Sequence, residues 1–320
     1  MSKVNIGVIG TGKMGQFHLN VISQIENINL TGIYDTDENR ALEVSKKYNT
    51  NVFKSLEEII DNSEALIIAS PTKYHFEIAK KAISLGKHIL VEKPMTETFL
   101  QAQELASLVK EKNVVFQVGH VERFNGAVQE LSHIIENPYL IEARRLAPFT
   151  NRISDVGVVL DLMIHDLDIV TSLVKKPVIR FSANGKKIKS NYEDIASALL
   201  EFEDNTIATI SASRVTQEKI RTLSVSTEEA YFLLDYSTQD ITIHRQATSQ
   251  SNIKTSLGIN YKQESIIERV FIHRDNPLKL EDTHFANCIL NIENKIVSIE
   301  NDVNTIRITE EILKQIRETW

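Results

Sequence analysis

The stretch Asn5-Ile6-Gly7-Val8-Ile9-Gly10-Thr11-Gly12-Lys13-Met14-Gly15 runs from an apolar, strand-like segment into a glycine-rich turn and then into residues with helical periodicity. Strand, glycine turn and helix start, in that order, leave backbone N–H groups bare at a helix N-terminus, where a pyrophosphate can approach closely. A turn that serves only strand-to-helix packing carries the same letters, so the stretch needs support from residues further along the chain.

Working outward, short apolar runs alternate with longer segments whose apolar residues recur every three or four positions, up to about Val118. The strands are expected at Asn5 to Ile9, Ile28 to Tyr34, Ala65 to Ala69, His88 to Glu92 and Val114 to Val118, with helices between them. In the helix from Thr98 to Lys112, Ala102, Leu105, Leu108 and Val109 share one face. This alternation predicts an α/β fold: an N-terminal Rossmann domain over 1–122, with a doubly wound parallel sheet that binds ligands beyond the carboxyl ends of its strands. The pattern then changes. Strands expected at Leu140 to Arg145, Val178 to Ala183, Ile195 to Phe202, Thr206 to Arg214, Arg221 to Val225, Tyr231 to Asp235 and Ile241 to His244 read as a large, mostly antiparallel sheet. With helices near 160–173, 279–292 and 303–318 they form an α+β domain over 123–320, expected to bind substrate and to mediate association. The polar segment 248–262 reads as a surface loop.

Composition narrows the partners. The 320 residues are 42% hydrophobic and 25% charged, enough for sizeable cores. Lys and Arg number 36 against 43 Asp and Glu, a net charge of -7, which argues against nucleic acid and against an anionic membrane surface. Cys288 stands alone, so neither an internal disulfide nor a cysteine-rich zinc framework is expected. With no signal-like leader and no apolar run approaching a membrane span, a cytoplasmic location is expected.

The ends of the expected strands carry the chemistry. Asp35, closing the second strand, is placed to accept from adenosine ribose hydroxyls and to repel a 2′-phosphate, which favours NAD over NADP. Arg40 reads either as a partner for such a phosphate or as an exposed helix residue. Ser70-Pro71-Thr72 ends the third strand with a proline-forced turn, and His75 beyond it reads as a ligand neighbour or a helix-end residue. Glu92-Lys93-Pro94 sets a carboxylate and an amine at the same edge. An ammonium there can hold a substrate oxygen and stabilise a developing alkoxide, although an exposed lysine at a strand end has the same letters.

In the second domain, Asp161, His165 and Asp168 follow four-then-three spacing within an apolar segment, so a polar face is expected to meet a ligand or another polar surface. A general base and a His–Asp pair with a purely structural role both fit. A metal site is not expected, since no second His or Cys cluster lies nearby in sequence. Arg123, Arg144, Arg145 and Arg152 crowd together in an acidic protein, as a diphosphate would require; salt bridges with Glu122, Glu142 and Asp155 are the plainer reading.

Gly10-Thr11-Gly12-Lys13-Met14-Gly15, Val91-Glu92-Lys93-Pro94 and the Asp161, His165, Asp168 set together resemble the Gfo/Idh/MocA oxidoreductases in order and spacing over most of the chain. The resemblance implies that NAD lies against Gly10, Thr11, Gly12, Lys13, Met14, Gly15, Asp35, Arg40, Ser70, Pro71, Thr72, His75, Glu92 and Lys93. It implies that Lys93, Asp161 and His165 carry the oxidation of a sugar secondary hydroxyl: His165 takes the proton, Lys93 polarises the oxygen and Asp161 orients substrate or imidazole. Met163 stands where the family often has glycine. Gly119-His120-Val121-Glu122-Arg123-Phe124-Asn125, Ala143 to Phe149 and Asp155 to Val159 further resemble a bacterial subgroup that oxidises the 3-hydroxyl of UDP-N-acetylglucosamine, a step toward a diamino sugar for lipid A. On that resemblance the substrate touches Lys93, His120, Arg123, Arg144, Arg145, Arg152, Asp161 and His165. An inositol, a free hexose or another nucleotide sugar would use the same catalytic set. A non-catalytic NAD(P)-binding regulator is expected to lack the lysine or histidine, and a metal-dependent hydrolase would be indifferent to NAD. A homodimer or homotetramer is expected, because a sheet with helices on one face leaves the other to cover.

Overall fold

A computed structural model describes residues 2–150, 156–246, 265–318 and 320. The chain divides into two compact units, 1–124 with 275–311 and 125–274 with 312–320.

In the first unit, β1 (Val4–Ile9), β2 (Ile28–Tyr34), β3 (Ala65–Ile68), β4 (His88–Glu92) and β5 (Phe116–Gly119) form a parallel sheet in the order β2-β1-β3-β4-β5. Between them run α1 (Lys13–Ile22), α2 (Glu38–Tyr48), α3 (Leu56–Asp61), α4 (His75–Ser84) and α5 (Phe99–Lys112). Strands covered on both faces need apolar residues on both, and β3 is buried along its whole length. The order reverses between β1 and β3, which makes the crevice beyond their carboxyl ends the ligand position of this topology. Local chemistry sets the boundaries. Thr98 and Gln101 form a capping box at the start of α5, and Asn113 closes that helix in the left-handed region (φ 51°). The next strand begins two residues later than expected because the Val115 N–H donates to His88 Nδ1 at 2.8 Å.

The second unit contains α6 (Gly126–Ile134), β6 (Leu140–Leu146), a π-helical turn over Val159–Met163 and α7 (Ile164–Val174). β7 (Val178–Lys186), β8 (Ile195–Phe202), β9 (Ile207–Ser213), β10 (Ile220–Ser226), β11 (Tyr231–Asp235), β12 (Asp240–Gln246) and β13 (Ser265–Arg269) follow. Eight strands pair in the order β13-β12-β11-β10-β6-β9-β8-β7, all antiparallel except β6 with β9. Ala196, Ala198, Leu200 and Phe202 of β8 are buried, while Ile195 and Leu199 alternate with them onto an open face shared with Ile179, Ile207 and Leu233. That open face is mixed, since the same register places Glu142, Arg144, Ser197 and Ser211 on it.

One boundary differs from the sequence reading, which carried 123–320 as a single domain. Residues 275–311, holding α8 (Pro277–Ile289) and the start of α9 (Ile299–Glu318), belong to the first unit. The cause is packing: Phe285 and Ala286 of α8 join the core formed by Ile6, Val8, Leu19, Ile33 and Ile67. No described helix is long and apolar enough to cross a membrane.

Candidate active site

At the carboxyl edge of the parallel sheet, Gly10 adopts φ +91°, and a Cβ there would stand 2.7 Å from the Ala69 carbonyl group. A Cβ on Gly15 would overlap the Gly10 carbonyl oxygen, so both glycines are required for the loop after β1 to lie against β3 and α1. Gly12 differs. A Cβ there would meet nothing within 4 Å, and Gly12 caps α1 without any side-chain hydrogen bond. With no acidic residue in the first turn, the helix N-terminus presents bare N–H groups and its positive dipole end, as a pyrophosphate needs. Lys13 is exposed and Met14 half-buried beside it.

Asp35 follows β2, its side chain only 6% exposed. Its carboxylate accepts from the Thr11 N–H (2.7 Å), the Thr11 hydroxyl (2.8 Å), the Asp37 N–H (2.9 Å) and Arg40 Nη2 (3.1 Å). Burial works to raise its pKa, but these donors, Arg40 foremost, outweigh it and hold the carboxyl below its ordinary value. Arg40 is therefore an ion-pair partner of Asp35 rather than a cation standing free for a phosphate.

After β3, Ser70 carries a buried hydroxyl that makes no hydrogen bond to protein. Pro71 is exposed and Thr72 half-buried at the start of a 3₁₀ turn. Bare helix donors, an uncluttered Gly12 and the Ser70 hydroxyl suit a dinucleotide at this edge. His75, expected either beside the ligand or at a helix end, starts α4 and is buried: Nε2 lies 2.7 Å from the Ser70 carbonyl oxygen and Nδ1 2.9 Å from that of Pro94. It ties the turn after β3 to the turn after β4. Burial pulls its pKa below the ordinary value against the upward pull of both carbonyls.

The Lys93–Pro94 peptide bond is cis, and Lys93 is half-buried at the same edge. Glu92 does not point with it. Glu92, expected at the cofactor, has a buried carboxylate that pairs with His18 Nε2 at 3.0 Å and accepts from the Lys93 N–H at 3.2 Å. Gly119 lies so close to that carboxylate that a Cβ would stand 3.1 Å from it. His18 continues inward, Nδ1 lying 2.9 Å from Asp282 of α8. His120, just beyond β5, is buried.

The arginines resolve differently from expectation. Arg123 is buried in an ion pair with Asp302, within the first unit. In the second unit Arg145 is buried, bound through Nε and Nη2 to both oxygens of Asp166 at 2.9 Å, with its guanidinium over the Tyr236 ring. Both are expected at the substrate from the sequence; here each guanidinium is paired with a carboxylate and removed from water. Arg144 projects to the other, exposed side of β6. Arg152 and the loop 248–262 lie outside the described residues.

Asp161 sits in the π-helical turn and His165 in the first turn of α7; both are half-buried, whereas Asp168 is buried. The expected single helix is thus a π turn running into an α-helix, a distortion frequent at functional sites. Glu193 anchors it, its backbone carbonyl accepting from the Val158 N–H (2.9 Å) and its side chain from the Val159 N–H (3.2 Å). Gly157 is packed against that side chain so tightly that no Cβ fits.

Sequence reasoning missed His18, Glu281, Asp282, Asp166 and Asp302. The available signal was charge on otherwise apolar helix faces, as in Leu280-Glu281-Asp282-Thr283-His284-Phe285, but their partners are remote in sequence.

Comparison with known proteins agrees with this geometry. Residues 4–120 match the model of the Gfo/Idh/MocA oxidoreductase family with its NAD-binding Rossmann fold, and residues 125–232 match the family's C-terminal domain. The chain belongs to the Gfo/Idh/MocA family and is an NAD-dependent dehydrogenase of the kind that acts on sugars. It is 32% identical to UDP-N-acetylglucosamine 3-dehydrogenase of Acidithiobacillus ferrooxidans over 77% of this chain and 78% of that one. A solved structure of that enzyme superposes with a TM-score of 0.90 at 28% identity, covering 99% of each chain. The scyllo-inositol 2-dehydrogenase (NAD⁺) of Bacillus subtilis is 26% identical over 92% of this chain and 89% of its own.

Proposed function

We propose that the protein oxidises the 3-hydroxyl of UDP-N-acetylglucosamine to a ketone with NAD. The observation that carries this reading is the likeness to UDP-N-acetylglucosamine 3-dehydrogenase, which runs through both units and covers 99% of each chain. The arginine cluster supports it less than its sequence density suggested, because Arg123 and Arg145 already have carboxylate partners and Arg144 lies on the side of β6 opposite α7, which carries His165; of the cluster, diphosphate recognition falls to Arg152.

NAD supplies the hydride acceptor. Within this reading, Lys93 holds the substrate oxygen through its ammonium group, and His165 takes the hydroxyl proton as the carbinol hydrogen leaves with its electron pair. Asp161 orients the sugar or the imidazole. The product is the 3-keto sugar. A second reading, an inositol or free hexose as substrate, is favoured by the occupied state of Arg123 and Arg145 and by the likeness to the scyllo-inositol enzyme. We also assign the open face of the eight-stranded sheet to association with further copies of the chain, as a homodimer or homotetramer; light scattering measures it.

The deciding experiment is NAD reduction with UDP-N-acetylglucosamine, free N-acetylglucosamine, glucose, and myo- and scyllo-inositol, with a carbonyl trap for the product. Turnover confined to the nucleotide sugar supports the proposal. Turnover confined to a free sugar or inositol retains the chemistry and overturns the substrate.

A further inference from the structure

Behind Lys93 the first unit buries four ionisable side chains that hydride transfer does not use. His18 of α1 is fully buried, with Nδ1 2.9 and 3.1 Å from the two oxygens of Asp282 and Nε2 3.0 Å from Glu92. Glu281, also fully buried, has no hydrogen-bond partner at either carboxyl oxygen, and one oxygen lies within 4.8 Å of facing atoms of His18 and Asp282.

An ionised carboxylate only accepts, so a ring with a carboxylate at each nitrogen must carry a hydrogen on each. His18 is then an imidazolium, and its charge is offset by Asp282 and Glu92. A further charge on Glu281, fully buried and without a protein donor, would be costly, so this side chain keeps its proton. Burial works against a charged His18, yet Asp282 and Glu92 together raise its pKa well above the usual value. Burial also raises Glu281 well above the carboxylate range, reinforced by Glu92 and Asp282 and opposed by His18 and Arg123. Burial pushes Asp282 upward too, against the pull of His18; the proton belongs on the ring, because both ring nitrogens face acceptors.

We propose that Glu281, Asp282, His18 and Glu92 form a proton-holding network that fixes Lys93 from behind: Asp282 and Glu92 clamp an imidazolium, and neutral Glu281 limits the negative charge of the cluster. The chain of contacts passes from α8 through α1 to β4 and ends where Glu92 accepts the Lys93 N–H, at the residue to which the reading above gives the substrate oxygen. His18, Asp282 and Glu281 are positioning residues. The functional consequence rests on the role given to Lys93 above; the protonation states do not.

Two measurements separate these parts. A group whose folded pKa is raised contributes stability below its unfolded pKa, roughly 4.3 for Glu, and loses it as pH rises toward the folded value. Removing the acid removes that loss. Glu281→Gln and the apolar Glu281→Met should therefore melt above wild type by a margin that widens between about pH 5 and 8, by roughly 2–4 °C per pH unit. Infrared difference spectra should show a carboxylic acid C=O band that Glu281→Gln lacks. His18→Gln should lower kcat about tenfold or more with the Kd for NAD changed less than about twofold, and should move the alkaline limb of kcat. If both Glu281 variants melt below wild type at every pH and no acid band is seen, Glu281 is an ionised partner and the proposal fails. It also fails if the purified protein holds one equivalent of a divalent ion whose chelation lowers the melting temperature, which would make the cluster a metal site. Should Lys93→Ala turn over like wild type, the role of Lys93 falls while the melting and infrared results still judge the network.

Discussion

The carboxyl edge of the parallel sheet and the segment 143–168 of the second unit contrast in how their charged residues are satisfied. At the edge, Asp35 takes its donors from Thr11, Asp37 and Arg40, all on adjoining turns, and keeps them near the surface. In the second unit, Arg145 spends its guanidinium on Asp166, which α7 carries back to β6, and is sealed from water. The first arrangement is a polar surface that a cofactor can share; the second is a cross-brace. A charged residue is thus read correctly as a binding group only when its partner is known.

The largest effect should come from breaking the brace. Arg145→Ala removes the guanidinium that binds both Asp166 oxygens and is expected to cost about 3–5 kcal/mol in chemical denaturation, whereas Arg144→Ala on the opposite side of the same strand should cost under about 0.5 kcal/mol. Equal stability of the two variants would erase the contrast.

Next comes chemistry. His165→Ala and Lys93→Ala should each reduce turnover by about 100-fold or more while NAD titrations remain near wild type. A variant that turns over normally takes that residue out of the mechanism.

The glycine loop offers a sharper version of the same comparison. Gly12→Ala, whose methyl meets no protein atom, should keep the melting temperature and weaken NAD about tenfold by intruding on the pyrophosphate approach; Gly15→Ala, which strikes the Gly10 carbonyl, should lose both. Unchanged NAD affinity in Gly12→Ala would place the pyrophosphate elsewhere.

The smallest effect concerns Asp35. Because its folded pKa is depressed, its contribution to stability is present above its unfolded pKa of roughly 3.9 and disappears as pH falls through the folded value. Asp35→Asn should flatten the acid end of the stability profile and narrow the preference for NAD over NADP. An identical acid limb in both proteins would show that Arg40 and Thr11 do not hold the carboxyl in solution.

Much of this is legible in the amino-acid sequence. Gly10, Gly12 and Gly15, the position of Asp35, and the Lys93–Pro94 turn follow from backbone geometry confined to a few neighbouring residues, as do the strands with period-two or wholly apolar patterns. Three kinds of feature are not legible there. Glu92 looks like a cofactor contact because its neighbour Lys93 does, but consecutive residues at a strand end point opposite ways. Arg123 and Arg145 look like diphosphate ligands because sequence density of charge does not show which carboxylate closes on each. The return of 275–311 to the first unit is invisible because periodicity describes one helix face and not what that face meets.

The parallel and antiparallel sheets, the dinucleotide edge and the residue types available for hydride chemistry rest on short-range sterics and periodic burial, both of which the order of residues carries. Which charges close into buried braces depends instead on contacts between elements remote in the chain. Glu92, Arg123 and Arg145 met His18, Asp302 and Asp166 across folded distance, and the cost of leaving a charge dry and alone made each of those pairings binding on the fold.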